Sequence, residues 1–200
     1  MKKSFLVLIG VFVFIGFIVV IGFISSIRFK NNMVKYDEEV SKAWSQVESQ
    51  YQRRTDLIPN LVSTVKGYAD FEKSTLTDVI EARSKATSVN ISADNLNEQT
   101  MAQFQQAQNG LSSALSKLLV VVEKYPDLKA NQNFLELQAQ LEGTENRIAN
   151  ERMKFNETIR TYNVYIRKFP ASIFAGIYGF ETKPYFEAAE GADKVPEVKF

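Results

Sequence analysis

Cysteine and histidine are both absent from this chain of 200 residues. Without cysteine there is no disulfide, no thiolate nucleophile and no cysteine metal site, a composition that suits either face of a bacterial membrane. Without histidine the commonest general base near neutral pH and the commonest metal ligand are gone. Ser-His-Asp, HExxH and ExxH di-metal constellations are therefore excluded. The net charge is only +1, so there is no basic field for a nucleic-acid partner. No glycine-rich phosphate loop occurs and no acidic residues fall at EF-hand-like spacing, so no cofactor and no metal ion are expected. The triplet Asp37-Glu38-Glu39 reads as a solvated helix face. Strand signals are nearly absent, as are internal repeats and low-complexity linkers.

What the chain does have is one long apolar run. Phe5 to Ile24 reads FLVLIGVFVFIGFIVVIGFI, with no charged or polar side chain. At about 1.5 Å per residue a helix of this length covers roughly the 30 Å hydrocarbon core of a bilayer. A cleavable signal peptide is the alternative, but it has a shorter apolar region and small residues at its cleavage site. The exit here, Gly22-Phe23-Ile24-Ser25-Ser26-Ile27-Arg28, has no such pair, and no cysteine follows for lipidation. A retained anchor over residues 1–30 is expected, with the membrane as its partner through residues 5–24. Lys2, Lys3 and the terminal amine stand against Arg28, Lys30 and Lys35. That near balance leans slightly toward an amino terminus inside and the remaining chain outside.

The remaining chain, about 170 residues, suffices for one core. From Met33 to Glu81 apolar residues recur every three or four positions (Met33, Tyr36, Val40, Trp44, Val47, Tyr51, Ile58, Leu61, Val65, Tyr68, Leu76, Val79), which predicts helix. Pro59 lies inside this stripe, and proline removes a backbone donor and crowds the carbonyl four residues back. A kink there is the first expectation and a full break into two antiparallel helices the second. Thr87 to Asn97 reads as a loop, with Ser92 and Asn95 as expected N-caps. A second helix spans Glu98 to Glu123, with Gly110 in its middle marking close packing or a weak point. Tyr125-Pro126-Asp127 is a turn. A third helix spans Asn131 to Lys168 with the stripe Phe134, Leu137, Leu141, Ile148, Phe155, Ile159, Tyr162, Ile166 and Phe169, ended by Pro170. The fold class is all-α: an N-terminal transmembrane helix, then an antiparallel bundle of three to four long helices over 31–170, the first kinked or broken at Pro59. A tail, 171–200, is expected to dock on the bundle or at the membrane.

Charges on apolar stripes need partners. Arg54 falls between Tyr51 and Ile58, and Glu145 and Arg152 flank Ile148. One reading is a polar layer inside the bundle, joining Arg54 or Asp56 to Glu145 and Arg152. The other places them at stripe edges, with long stems reaching water. Catalysis by paired carboxylates would need a pocket and a shifted pKa, and neither is visible in a sequence. Trp44 is expected in the core or at a contact.

The block Tyr51 to Val62, YQRRTDLIPNLV, resembles the LemA family. The resemblance extends over nearly the whole chain: the anchor, Ala43-Trp44, Val65-Lys66-Gly67-Tyr68, Glu81-Ala82-Arg83, Glu123 to Lys129 (EKYPDLK), Leu141 to Arg152 (LEGTENRIANER), Tyr162-Asn163 and Phe169-Pro170. At Phe71-Glu72 many relatives carry a histidine before the glutamate, so no role for that histidine carries over. The resemblance implies a single-pass bacterial membrane protein with a helical-bundle domain, no established enzymatic activity and no cofactor. It also implies a short amino terminus drawn outside the cell, opposite to the charge lean, and gene neighbours that include membrane proteases, which points to envelope maintenance. The expectation is a membrane-anchored interaction or scaffold protein without catalytic activity, on the bacterial cytoplasmic membrane, with protein partners or copies of itself. The alternative is a regulatory subunit or enzyme that uses carboxylates and is linked to membrane protein quality control. Arg53, Arg54, Asp56, Asn60, Glu145 and Arg152 are the residues expected to form the polar layer or an interaction site.

Overall fold

The computed structural model describes residues 2–67 and 72–187. Regular structure among them is helical: α1 Lys2–Lys66, α2 Lys73–Ser88, a 3-10 turn Ala93–Asn95, α3 Glu98–Val122, α4 Pro126–Lys129, α5 Gln132–Arg167 and α6 Ala171–Tyr178. The class is all-α with helical-bundle packing, as expected. Tyr68, Phe71 and residues 188–200, including the KVPEVKF end, lie outside the described residues.

Of the two outcomes expected at Pro59, the full break does not occur. Helix α1 runs through Pro59 to Lys66, and the stripe is interrupted later, before α2 begins at Lys73. The reason lies in the carbonyl that proline leaves without an N–H donor, that of Thr55. The Arg83 side chain on α2 donates its Nε–H to this oxygen at 2.9 Å. The hydrogen bond lost along the helix is replaced from outside it.

Two compact units share the chain, one from Met1–Val40 with Arg160–Thr182, the other from Ser41–Ile159 with Lys183–Phe200. In the first, Met33, Val40, Tyr162 and Ile166 are buried, and the Tyr36 and Tyr165 rings meet at 4.9 Å. The Tyr162 hydroxyl donates to the Glu181 carbonyl at 2.9 Å. Burial, reinforced by the charges of Asp37 and Glu181, pushes its pKa up to about 12.

The second unit packs parts of α1 and α5 with α2, α3 and the short α4. Along α1 and α5 the contacts run in opposite order, Trp44 with Phe155 and Arg54 with Glu145, so these helices are antiparallel. Along α1 and α3 they run in the same order, Tyr51 with Phe104 and Arg54 with Ser112. Helix α2 packs antiparallel to α3: Ala86 near its end meets Gln108, and Glu72 just ahead of it meets Lys124. Its core has two parts. An aliphatic part gathers Ile58, Leu61, Val65, Val79, Leu111, Leu118, Leu128 and Phe134. An aromatic part gathers Trp44, Tyr51, Phe104, Phe155 and Phe186. Trp44 is thus a core residue, and its indole N–H donates to the Ile91 carbonyl at 2.9 Å.

Two local expectations are corrected and one is narrowed. The side-chain cap of α3 is Asn97, not Ser92 or Asn95. Asn97 Oδ1 accepts from the Thr100 amide at 2.9 Å, and Thr100 Oγ1 accepts from the Asn97 amide at 3.1 Å, a reciprocal capping box. Of the two readings of Gly110, a weak point or close packing, the second does not hold, since an added Cβ would meet nothing within 4 Å. Phe169 is not on the buried stripe but 83% exposed, because α5 has ended at Arg167 and helical spacing no longer governs its position. Beyond it the chain forms a helix the sequence reading did not anticipate, α6, which closes at Gly179 in the left-handed region, φ 74°.

Candidate functional site

Gln108, Ser112 and Glu145 of the second unit converge on Arg54. Its side chain is 2% exposed because it occupies the core-facing stripe between Tyr51 and Ile58. A guanidinium there has lost its water and must find acceptors in the protein. It finds four. Nη1 donates to Ser112 Oγ and to Glu145 Oε2, each at 2.8 Å. Nη2 donates to Gln108 Oε1 at 2.6 Å and to the Gln108 carbonyl at 3.3 Å. The Gln108 side chain is buried in turn, and its Nε2 donates to the Ala86 carbonyl at 3.3 Å. One arginine thus ties α1 to α3 and α5 directly and to α2 through Gln108. Its guanidinium also lies 5.1 Å from the Tyr51 ring centre. Glu145 keeps about half its side chain in water, 56% exposed, so the pair is buried on one side only.

Arg152 is held elsewhere. Its guanidinium lies 4.7 Å from the Phe186 ring centre and donates to the Glu187 carbonyl at 2.8 Å. Beside it, Asn156 Oδ1 accepts from the Phe186 amide at 2.9 Å while its Nδ2 donates to the Phe186 carbonyl at 3.0 Å. These two residues of α5 pin the extended segment after α6 by its backbone, so that Phe186 enters the aromatic core. The charges of Arg152 and Arg54 both act on the Tyr51 hydroxyl. Burial pushes that hydroxyl's pKa up, against the opposing pull of Arg152 and Arg54. Glu145 thus pairs with Arg54, while Arg152 is held by Phe186 and the Glu187 carbonyl.

The other three expected residues are exposed on α1. Asp56 accepts from Gln52 Nε2 at 2.8 Å, one turn earlier on the same helix. Arg53 and Asn60 flank it on the solvent side. The sequence reading missed Gln108, Ser112 and Arg83. Gln108 was legible: it lies four residues after Phe104 and three before Leu111, on the buried stripe of α3. The test applied to Arg54, a polar residue at an apolar position, selects it too. Arg83 carried no such signal, since its role comes from a carbonyl two helices meet at.

An open groove of about 730 Å³ runs between α2 and α3. Ala82, Ala107, Gly110 and Ala114 line its floor, and Asp78, Glu81, Lys85 and Lys117 stand at its rim. Charges of both signs are thus mixed along it. Among the described residues no group of three or more Asp or Glu is placed to hold a metal ion.

The sequence profile of the LemA family matches residues 43–200. The chain is 28% identical over 180 residues to Magnetosome protein MamQ 2 of Paramagnetospirillum magneticum, covering 82% of this chain and 66% of that protein. It is 28% identical over 184 residues to Magnetosome protein MamQ of Magnetospirillum gryphiswaldense, covering 84% and 67%. With Protein LemA of Metamycoplasma hominis the identity is 24% over 170 residues, covering 85% and 66%. The chain thus spans about two-thirds of the length of these relatives. The Arg54 layer, the Pro59–Arg83 contact and the Arg152–Asn156 clasp all fall inside the matched region, and the chain belongs to the LemA family.

Proposed function

We propose that the protein is a membrane-anchored scaffold: residues 5–24 cross the bacterial cytoplasmic membrane once, and the helical unit beyond presents its surface to protein partners. The observation that carries this reading is the state of the buried charge. Arg54 is engaged by four acceptors on neighbouring helices, so the layer acts as a structural tie. The anchor is supported by α1, the helix among the described residues long and apolar enough to cross a membrane. Family membership and similarity to two proteins named for the magnetosome support this reading.

The test uses the missing cysteine. Ser88 is exposed at the end of α2, so Ser88→Cys gives a single labelling site. Membranes carrying this variant are expected to retain the chain through an alkaline carbonate wash, and release would overturn the anchor. A membrane-impermeant maleimide on whole cells then fixes the face: labelling without lysis puts the bundle outside, labelling only after lysis puts it inside. Photocrosslinkers at exposed positions of α1 are expected to give discrete adducts, with a partner or with a second copy. Their absence at every position would remove the scaffold reading.

A second reading, a regulatory subunit or enzyme using carboxylates, has one observation in its favour: Asp78 and Glu81 share the α2–α3 groove. Asp78→Asn with Glu81→Gln would then abolish the cellular phenotype while the crosslinking pattern stayed intact.

A further inference from the structure

Helix α6, with the sequence ASIFAGIY, carries no charged residue. One of its faces is used within its own unit. Ala171 and Ala175 are buried, the Phe174 ring stacks on Phe29 at 5.2 Å, and the Tyr178 and Ser26 hydroxyls hydrogen-bond at 2.6 Å. Lys30 Nζ lies 5.1 Å from the Tyr178 ring centre. The opposite face is as apolar and is left bare. Ile173 is 54% exposed, Ile177 is 67% exposed, and Phe169, just ahead of the helix, is 83% exposed. A surface helix of a water-soluble unit carries polar residues on that side.

Three features of this unit identify what covers the bare face. The first is position. Tyr165 meets Tyr36, Phe174 meets Phe29, and Tyr178 reaches Ser26. Following the chain from α5 into α6 therefore moves down α1 toward the apolar run, whose last residue, Ile24, is two positions before Ser26. The carboxyl end of α6 lies level with the point where α1 leaves the run. The second is charge. Between Phe5 and Tyr36, and between Thr158 and Phe180, there is no acidic residue. Arg28, Lys30, Lys35, Arg160, Arg167 and Lys168 are the charges there, and the flanking acids are Asp37, Glu157 and Glu181. The third is residue type: Tyr178, an amphipathic ring, stands at that level, as such rings do at membrane–water interfaces.

We propose that α6 is an interfacial helix, seating Ile177, and Ile173 one turn above it, in the headgroup–acyl boundary of the bilayer beside the exit of α1. Arg28, Lys30 and Lys168 meet the lipid phosphates, with their stems lying along the apolar surface. The chain leaves the surface at Gly179, whose left-handed conformation ends the helix before Glu181. The membrane then holds this unit at two places, the span and α6, and orients it instead of merely tethering it. The inference rests on reading residues 5–24 as a membrane span.

The experiment places single cysteines in the otherwise cysteine-free full chain, each bearing a fluorophore, in vesicles of phosphatidylethanolamine and phosphatidylglycerol. Ile177→Cys tests α6, Phe17→Cys tests the span, and Ser88→Cys is the aqueous control. All three side chains are exposed, so the fold does not depend on them. Lipids spin-labelled high on the acyl chain are expected to quench the labels at 177 and 17 and spare the one at 88. Quenching at 17 with none at 177 overturns the α6 proposal while leaving the anchor intact, and assigns the bare face to a protein or a second copy. Absence of quenching at 17 overturns the anchor reading and this proposal with it.

Discussion

Helix α1 is one continuous helix with two kinds of surface. From Phe12 to Ile24 its large side chains are apolar all round and 48–71% exposed. From Met33 to Val65 most of them keep to a single stripe, Val34 being exposed, and Met33, Val40, Val47, Ile58, Leu61 and Val65 on that stripe are fully buried. The backbone is the same in both stretches, because an α-helix satisfies its own peptide groups in lipid as in water. What differs is the side-chain pattern, and each pattern suits its own surroundings: a ring of apolar residues suits hydrocarbon, a stripe suits a protein core. Polar residues obey the same division. The first stretch has none. The second admits a charge, Arg54, and a helix breaker, Pro59, each only where another helix supplies the missing partner.

The largest effect is expected from removing the admitted charge. Arg54→Ala deletes the tie to three helices and leaves Gln108 buried, and Ser112 half-buried, without their donor, a loss of about 3–5 kcal/mol. Glu145→Gln is expected to cost less than about 1 kcal/mol, because that carboxylate is half in water. Denaturation of the full chain in detergent micelles reads both. Equal losses would make the carboxylate the main partner and remove Gln108 and Ser112 from the account.

The converse substitution puts an arginine into the first stretch. Phe17→Arg has no partner within reach of an all-apolar run, and an arginine at the centre of a membrane helix costs about 2.5–3.5 kcal/mol. The chain retained in carbonate-washed membranes is expected to fall sharply. Gln52→Arg, an exposed position of the second stretch, is the control and is expected to change nothing. If Phe17→Arg is retained as well as the parent, the two stretches do not lie in different solvents.

A smaller effect isolates the helix breaker. Arg83→Met strands the Thr55 carbonyl, at a cost of about 1–2 kcal/mol. Pro59→Ala returns a backbone donor to that carbonyl. In the Pro59→Ala background the Arg83→Met loss is therefore expected to shrink to a few tenths of a kcal/mol, a coupling measurable by a double-mutant cycle. Additive losses would show that Arg83 does not compensate the proline.

These contrasts also explain what could be read from the chain alone. The all-α class, the apolar run and the long stripes were legible because each is a periodicity, and periodicity is local. Arg54 and Glu145 were legible as polar residues on stripes, and Gln108 would have been by the same rule. The survival of α1 through Pro59 was the first expectation, because the stripe keeps its phase there, but the group that replaces the lost hydrogen bond was not legible: Arg83, 24 positions away, reaches one particular carbonyl. The route of the segment after α6 was hidden for the same reason. Phe186 belongs to the aromatic core only because Asn156 and Arg152 hold its backbone, and nothing near Phe186 in sequence announces that.

The smallest effects on stability are expected on the solvent side of the second stretch, and there they are the most informative about function. Arg53, Asp56 and Asn60 are exposed on α1, and the hydrogen bonds seen there, Gln52 to Asp56 and Thr64 to the Asn60 carbonyl, stay within the helix. Alanine at each position should shift stability by no more than about 0.5 kcal/mol. If Arg53→Ala, Asp56→Ala and Asn60→Ala leave the melting curve in place yet erase crosslinks formed from α1, these residues belong to the partner-binding surface. If any of them costs as much as Arg54→Ala, the division of α1 into a buried stripe and a free face fails at that residue, and its role is structural.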